Sequence, residues 1–156
     1  MQYQLKKLNT DDLDLMNSLL DCFGEVFEEP ETYGKFRPDA DYMTELLGSN
    51  MFISIVAHNK NDVIGGLAAY ELQKFEQKRS EIYIYDLAVV KKCRRRGIAT
   101  ALIEELKRIA KSRGAWVVFV QADYIDQPAV DLYTKLGVRE EVLHFDIPLE
   151  KDGTGA

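Results

Sequence analysis

The run Ile82-Tyr83-Ile84-Tyr85-Asp86-Leu87-Ala88-Val89-Val90 leads through Lys91-Lys92-Cys93 into Arg94-Arg95-Arg96-Gly97-Ile98-Ala99, and this stretch decides how the chain reads. Its first part is apolar and aromatic apart from one carboxylate, as expected of a strand within 81–90. Residues 100–113, behind the glycine, set Ala101, Leu102, Leu106, Ile109 and Ala110 at helical spacing and stop at Gly114. A strand, a short basic turn with glycine and a helix N-terminus together make an anion cradle. Unpaired N–H groups point out of the first helical turn, and the macrodipole adds roughly half a positive charge there. Gly97 lets a ligand approach the backbone closely, and Ala99 is small enough to keep the way clear. The ligand this suggests is a pyrophosphate.

Outward from that stretch, residues 2–8 alternate enough for a first strand. Asn9 or Thr10 can cap the following helix, whose stripe is Leu13, Met16, Leu19, Leu20, Phe23 and Phe27. Glu28-Glu29-Pro30-Glu31 breaks it, and 33–37 reads as loop. Pro38-Asp39 opens a shorter helix through Leu47, closed by Gly48. Residues 51–57 form an apolar strand, Asn59-Lys60-Asn61-Asp62 a hairpin turn, and 63–72 the returning strand. Gly65-Gly66 inside it predicts a bulge or a close backbone contact. After 74–80, a polar connection, come the decisive strand and helix, then a buried strand at 116–122. Asp126-Gln127-Pro128 caps a short helix to Leu136, with Gly137 past its end, and 138–147 is expected to be a last strand. The tail from Glu150 is polar and expected to fray. The order β-α-α-β-β-β-α-β-α-β is an antiparallel meander feeding a β-α-β unit, which implies an α+β domain with a mixed sheet and helices on both faces.

With 156 residues the chain is expected to be one domain, 1–149, followed by a polar tail, 150–156. No apolar run approaches the ~18 residues of a membrane span, and the N-terminus lacks a secretion signal, so no membrane role is expected. The two cysteines, Cys22 and Cys93, show no metal-type spacing; a reduced, cytoplasmic protein is expected, with neither thiol a nucleophile. A net charge of −6 argues against nucleic acid as the main partner. Lys91, Lys92, Arg94, Arg95 and Arg96 nonetheless form one basic cluster on an acidic chain, which suits an anionic cofactor and a cationic substrate. His58 and His144 have no partner at metal or triad spacing, and no metal is expected.

Arg94-x-x-Gly97-x-Ala99 resembles the pyrophosphate signature of the GCN5-related N-acetyltransferases (GNAT). The segment Ala129-Val130-Asp131-Leu132-Tyr133-Thr134-Lys135-Leu136-Gly137 resembles that family's second signature, with a tyrosine four residues before a glycine. Lys74-Phe75-Glu76-Gln77, residues 79–89 and 97–103, Val120-Gln121-Ala122-Asp123-Tyr124 and residues 140–147 are similar to the type I aminoglycoside 3-N-acetyltransferases, which inactivate gentamicin-type antibiotics. The resemblance implies the GNAT fold, a mixed and mostly antiparallel sheet flanked by helices on both faces. It also implies acetyl-CoA as cosubstrate, a small cationic aminoglycoside as acceptor, and, as is frequent in the family, a homodimer.

On that resemblance, main-chain amides of Arg95, Arg96, Gly97, Ile98 and Ala99 would hold the coenzyme A pyrophosphate, with Arg94 to Arg96 or Lys91-Lys92 at its ribose phosphate and Thr100 also counted among the coenzyme-binding residues. The strand at 81–90 would splay from the next one to admit the pantetheine arm, leaving the thioester carbonyl at a main-chain N–H near Leu87, Ala88 or Val89. Ala88-Val89-Val90 fits a tunnel wall and fits plain core equally. Asp86 interrupts an apolar strand, which is costly unless it is paired or faces a cleft. It would receive the substrate ammonium and accept its proton, as base or only as anchor; otherwise it is the partner of an internal arginine. Tyr133 stands at the family position of the general acid for the departing thiolate, or is simply packing. Asp126 departs from the asparagine often found there. Glu76, Asp123 and Asp146, with Glu81, Glu140 and Glu141, are candidates for a negative lining around a cationic sugar. Two alternatives stay open: a GNAT enzyme acting on a polyamine or protein amine, and a coenzyme-binding module without turnover.

Overall fold

The computed structural model describes residues 2–60 and 62–150. They fall into two compact units, Met1–Gln121 and Ala122–Ala156. In the first, strands β1 (Gln4–Lys7), β2 (Phe52–Asn59), β3 (Asp62–Gln73), β4 (Ser80–Val89) and β5 (Ala115–Val120) lie side by side in chain order. The first three junctions are antiparallel and the last is parallel. Three helices accompany them: α1 (Leu13–Val26), α2 (Ala40–Gly48) and α3 (Ile98–Ser112). Only the parallel junction needs a crossover, and α3 supplies it. The sheet is therefore mixed and mostly antiparallel, and helices cover both of its faces.

The alternation of each strand sorts its side chains between two cores. On one face Met16, Leu19 and Phe23 of α1 pack with Met43 and Leu47 of α2 over Val56, Ala68 and Ala88. Ile53, Ile55, Leu67 and Ala69 point to the other face, and Leu102, Leu106 and Ile109 of α3 are buried there. Both halves of the expectation at the paired glycines hold. The β2–β3 register slips between Ala57 and His58, leaving Ile64 as the extra residue of a bulge. A Cβ on Gly66 would stand 2.5 Å from Leu19 Cδ1, and one on Gly65 would stand 2.9 Å from the Ala88 carbonyl. Small residues here let α1 and β4 close onto β3.

Several local expectations change. Residue 12, not 9 or 10, sits at the start of α1, and its carboxylate makes no helix cap. Instead Asp12 accepts from Lys6 Nζ at 2.6 Å and from the Asn9 N–H at 2.9 Å, because a nearby cation and a free turn amide outcompete the helix end. Part of the expected loop at 33–37 is a short π-type helical turn, Glu31–Lys35, held by tertiary contacts of Tyr33 that local propensity does not contain. Asp39 caps α2 through the Tyr42 N–H at 2.9 Å, as Pro38-Asp39 indicates. The α3 helix begins two residues early, directly at the glycine. The hairpin joins Asn59 to Asp62 with Lys60 left-handed (φ 54°), and Asn61 lies outside the described residues.

In the second unit α4 (Gln127–Leu136) is capped by Asp126, which accepts the Ala129 N–H at 3.3 Å. The expected last strand is not formed: residues 138–147 join no ladder, and Val138, Leu143, Phe145 and Ile147 are exposed. Alternating apolar residues make a segment able to pair, but a strand exists only where an edge accepts it. Of the expected tail, 151–156 lies outside the described residues.

Candidate functional site

The basic turn is built by backbone geometry. Arg94 is extended, Arg95 is left-handed (φ 60°), and Gly97 is left-handed (φ 77°) at the N-cap of α3. Left-handed residues in a tight turn let main-chain N–H groups face one concavity, a shape that binds anions. The first bond of the helix runs from the Ala101 N–H to the Gly97 carbonyl at 2.9 Å, so the amides of Ile98, Ala99 and Thr100 have no intrahelical acceptor. No heavy atom stands within 4 Å of where a Gly97 Cβ would be. Glycine is needed here for its φ and for what approaches it, not for internal packing. The side chains of Lys91, Lys92, Arg94, Arg95 and Arg96 are all exposed around it. Amides, dipole and cations fit a diphosphate.

Next to this cradle the sheet opens. β5 pairs with β4 from Ser80 to Ile84 and no further. A bulge in β4 falls at the same place, where Ala68 faces Asp86 and Ala69 faces Ile84, leaving Tyr85 unpaired. The Val90 N–H donates to Ile64 at 2.9 Å, so Val90, Ala88 and Asp86 turn their main chain toward β3. By strand alternation Leu87 and Val89 turn theirs the opposite way, into the gap that β5 has left. In agreement, Arg94 Nε donates to the Val89 carbonyl at 3.2 Å. The Ala88 side chain belongs to the core under α1. Leu87 and Val89 thus offer main-chain groups to an extended guest.

Asp86 stands on the α1 face of the same strand, at a cavity of about 230 Å³ lined by Phe23, Tyr33, Tyr42, Tyr70, Tyr85 and others. Among the described residues no arginine partners it. Its Oδ2 accepts from the Tyr33 hydroxyl at 2.9 Å. Burial pushes the Asp86 carboxyl above its ordinary range, the Tyr33 hydrogen bond opposes this, and the charge of Glu29 adds to the rise. Burial, the same hydrogen bond and the neighbouring carboxylates drive the Tyr33 phenol well above its own range. The Tyr70 and Tyr85 rings meet edge to face at 6.0 Å, and Tyr83 meets Tyr85 at 5.8 Å. Electron-rich ring faces beside a carboxylate make a setting that favours a cation. Tyr33 carries no signature in the sequence; only the aromatic spacing from Phe23 and Phe27 hints at it.

Glu76 and Glu81 are not among the residues that line this cavity. Glu76 follows β3 and pairs with Lys74 at 3.2 Å, and Glu81 shares that lysine at 3.4 Å. Asp86 lies six positions along β4 from Ser80, roughly 20 Å of strand. Tyr133, Asp123 and Asp146 belong to the second unit; there Tyr133 lies on α4, the Asp123 carbonyl accepts the Asp126 N–H at 3.0 Å, and Asp146 pairs with His144 at 2.9 Å. A wider depression of about 540 Å³ beside Gln4 and His58 holds no carboxylate. Both cysteines are buried, and burial with the nearby Glu25 raises the Cys22 thiol to about 11. Among the described residues no cluster of His, Cys, Asp and Glu is arranged to hold a metal, and no helix is long and apolar enough to cross a membrane.

Residues 13–138 match the model of the acetyltransferase (GNAT) family. A crystal structure of an aminoglycoside acetyltransferase, HMB0005, from an uncultured soil metagenomic sample superposes with a TM-score of 0.94 at 56% identity, covering 96% of this chain and 100% of that one. Another from such a sample, meta-AAC0020 in complex with sisomicin, gives 0.87 at 33% identity over 95% of this chain and 97% of its own. N-acetyltransferase 8F1 of Rattus norvegicus is 28% identical over 90 residues, 58% of this chain but only 41% of that longer protein.

Proposed function

We propose that this chain, which belongs to the GNAT acetyltransferase family, is an aminoglycoside 3-N-acetyltransferase acting directly, without a covalent enzyme intermediate. Its acceptor would be the 3-amino group of a 2-deoxystreptamine aminoglycoside such as gentamicin, and its donor acetyl-CoA. The observation that carries this reading is Asp86: a half-buried carboxylate with aromatic walls, on the strand whose Leu87 and Val89 amides face an open gap. Relatives that share the fold at 56% and 33% identity are aminoglycoside acetyltransferases, which supports the choice of acceptor. Residues 1–149 are taken as one such domain.

Acetyl-CoA supplies the activated acetyl group. The amides from Arg95 to Thr100 would hold its diphosphate, and the exposed arginines and lysines would screen the remaining phosphate. The Leu87 or Val89 N–H would be the donor to a thioester carbonyl and would stabilise the charge developing there. The Asp86 carboxylate anchors the acceptor ammonium and takes its proton. Burial favours this step, since a carboxyl that is raised above its ordinary range binds a proton more readily. A lone amine with pKa near ~10 is almost wholly protonated at neutral pH. Neighbouring ammonium groups on a polycation repel that proton and ease its loss. Tyr133 is the proposed donor of a proton to the leaving thiolate. Glu76, Asp123 and Asp146 are proposed to attract a cationic sugar.

The test is release of free thiol from acetyl-CoA in the presence of a panel of aminoglycosides, followed by NMR of the product. Acetylation at the 3-amino group is expected. Acetylation elsewhere replaces the regiochemistry, and turnover only with spermidine or a peptide amine replaces the acceptor.

A further inference from the structure

Asp86 is held by a single side chain from far away in sequence. The Tyr33 hydroxyl donates to it across 53 positions, and Tyr33 sits on the short turn Glu31–Lys35 rather than on a long element. Such a turn does not fix a phenol by itself. Two independent contacts do so. The Tyr33 ring is gripped edge-on by Phe23 and tilted against Phe27, each at 5.7 Å between centroids. The Tyr33 carbonyl accepts from Arg37 Nε at 3.1 Å and from its Nη2 at 2.8 Å, while the same Nη2 donates to Asp21 on α1 at 2.8 Å. Arg37 therefore ties the turn to α1 and keeps the hydroxyl aimed at the carboxylate.

We infer that Tyr33 and Arg37 are positioning residues: through the chain Asp21–Arg37–Tyr33 they fix Asp86 Oδ2, set the orientation of the carboxylate, and leave Oδ1 for the acceptor amine. A carboxylate with two free oxygens can rotate about χ2, a broad twofold torsion, and so presents no fixed lone pair. One charge-assisted hydrogen bond at 2.9 Å removes that freedom. The same bond supports the charged form of Asp86 in a place where burial disfavours it. The titratable groups facing Asp86 are Tyr33 and Glu29 from the segment after α1, Tyr42 from α2, Tyr70 from β3, and Tyr83 and Tyr85 from β4. None of these is a cation, so the Tyr33 hydroxyl is the group that offsets burial. The consequence for catalysis rests on the function proposed above; the geometry does not.

Tyr33→Phe keeps the ring between its neighbours and removes only the hydroxyl. At neutral pH it is expected to lower kcat about tenfold to a hundredfold, the effect of losing a hydrogen bond to a charged group. The KM for acetyl-CoA should stay within about twofold, and the acidic limb of the pH–rate profile should move to higher pH. A readout independent of turnover separates this inference from the proposed function. In protein labelled at the aspartate carboxyl carbon, the resonance missing from Asp86→Asn is titrated in wild type and in Tyr33→Phe. An upward move of its midpoint supports the brace, and an unmoved midpoint overturns it even if no aminoglycoside is ever acetylated. If Tyr33→Phe fails to fold by circular dichroism, Arg37→Gln takes its place. That variant should move the midpoint in the same direction by less, and no movement again overturns the inference.

Discussion

The turn around Gly97 and the pocket around Asp86 adjoin the same strand, yet they are built by opposite means. The turn is local: within seven residues, Arg94 to Thr100, backbone dihedrals and a helix end supply nearly everything an anion needs. The pocket is assembled from α1, the turn after it, α2 and strands β2 to β4. Its working group is one side chain held by another that lies 53 positions away. The turn presents main-chain N–H groups, so it is indifferent to most side-chain changes but intolerant of a lost φ. The pocket depends on individual atoms. Coenzyme affinity and proton transfer should therefore be separable by mutation.

The strongest attempt to break that separation is Asp86→Asn. It is expected to lower kcat by about 10²–10⁴-fold, the usual scale for a general base, while the KM for acetyl-CoA stays within about twofold in steady-state kinetics. A parallel rise in that KM would join the two regions. Tyr133→Phe should cost about 10–10²-fold in kcat by the same assay and leave calorimetric binding of acetyl-CoA unchanged. Gly97→Val is the reciprocal attempt. A β-branched residue forced to a left-handed φ costs about 1–2 kcal/mol, and its methyl groups enter the cradle. Calorimetry should therefore show acetyl-CoA binding weakened by about tenfold or more, with the acceptor KM untouched.

The smallest effect concerns stability. Burial raises the folded-state pKa of Asp86 above its unfolded value. Between those two values the folded state binds more protons than the unfolded state, so stability falls as pH rises through the window, and the deficit persists above it. Asn carries no charge to bury and can still accept from Tyr33. Asp86→Asn should accordingly raise Tm by a few degrees at neutral pH, and the gain should shrink at acidic pH where Asp86 is protonated. A drop in Tm at neutral pH would mean that the carboxylate is a structural asset rather than a functional cost. The same proton affinity predicts that activity declines on acidification before an ordinary surface aspartate would titrate.

Much of this was legible in residues 82–99, where a lone carboxylate in an apolar run and a glycine among arginines each break a local rule. Periodicity also yields α1, α2, α3 and the sheet strands to within a few residues, because those segments bury one face and the spacing of apolar residues records it. Asp126 was readable as a cap and Pro38-Asp39 as a helix start, since both are settled by groups about three residues apart. Expectation failed where the deciding partner is distant. The helix start expected at Asn9 or Thr10 moved to Asp12, whose carboxylate is held by Lys6, and part of the stretch at 33–37 became a helical turn because Tyr33 meets Phe23, Phe27 and Asp86. Residues 138–147 have strand-like alternation but no ladder among the described residues. The sequence by itself determined the cradle, the main helices and the strands β1 to β5, since these follow from dihedral preference, apolar spacing and short-range hydrogen bonding. Only the tertiary structure decided that the β4–β5 ladder ends at Ile84 and that Tyr33, rather than an arginine, holds Asp86. Hydrogen bonds between distant segments form only once the chain has folded, and no short-range pattern encodes them.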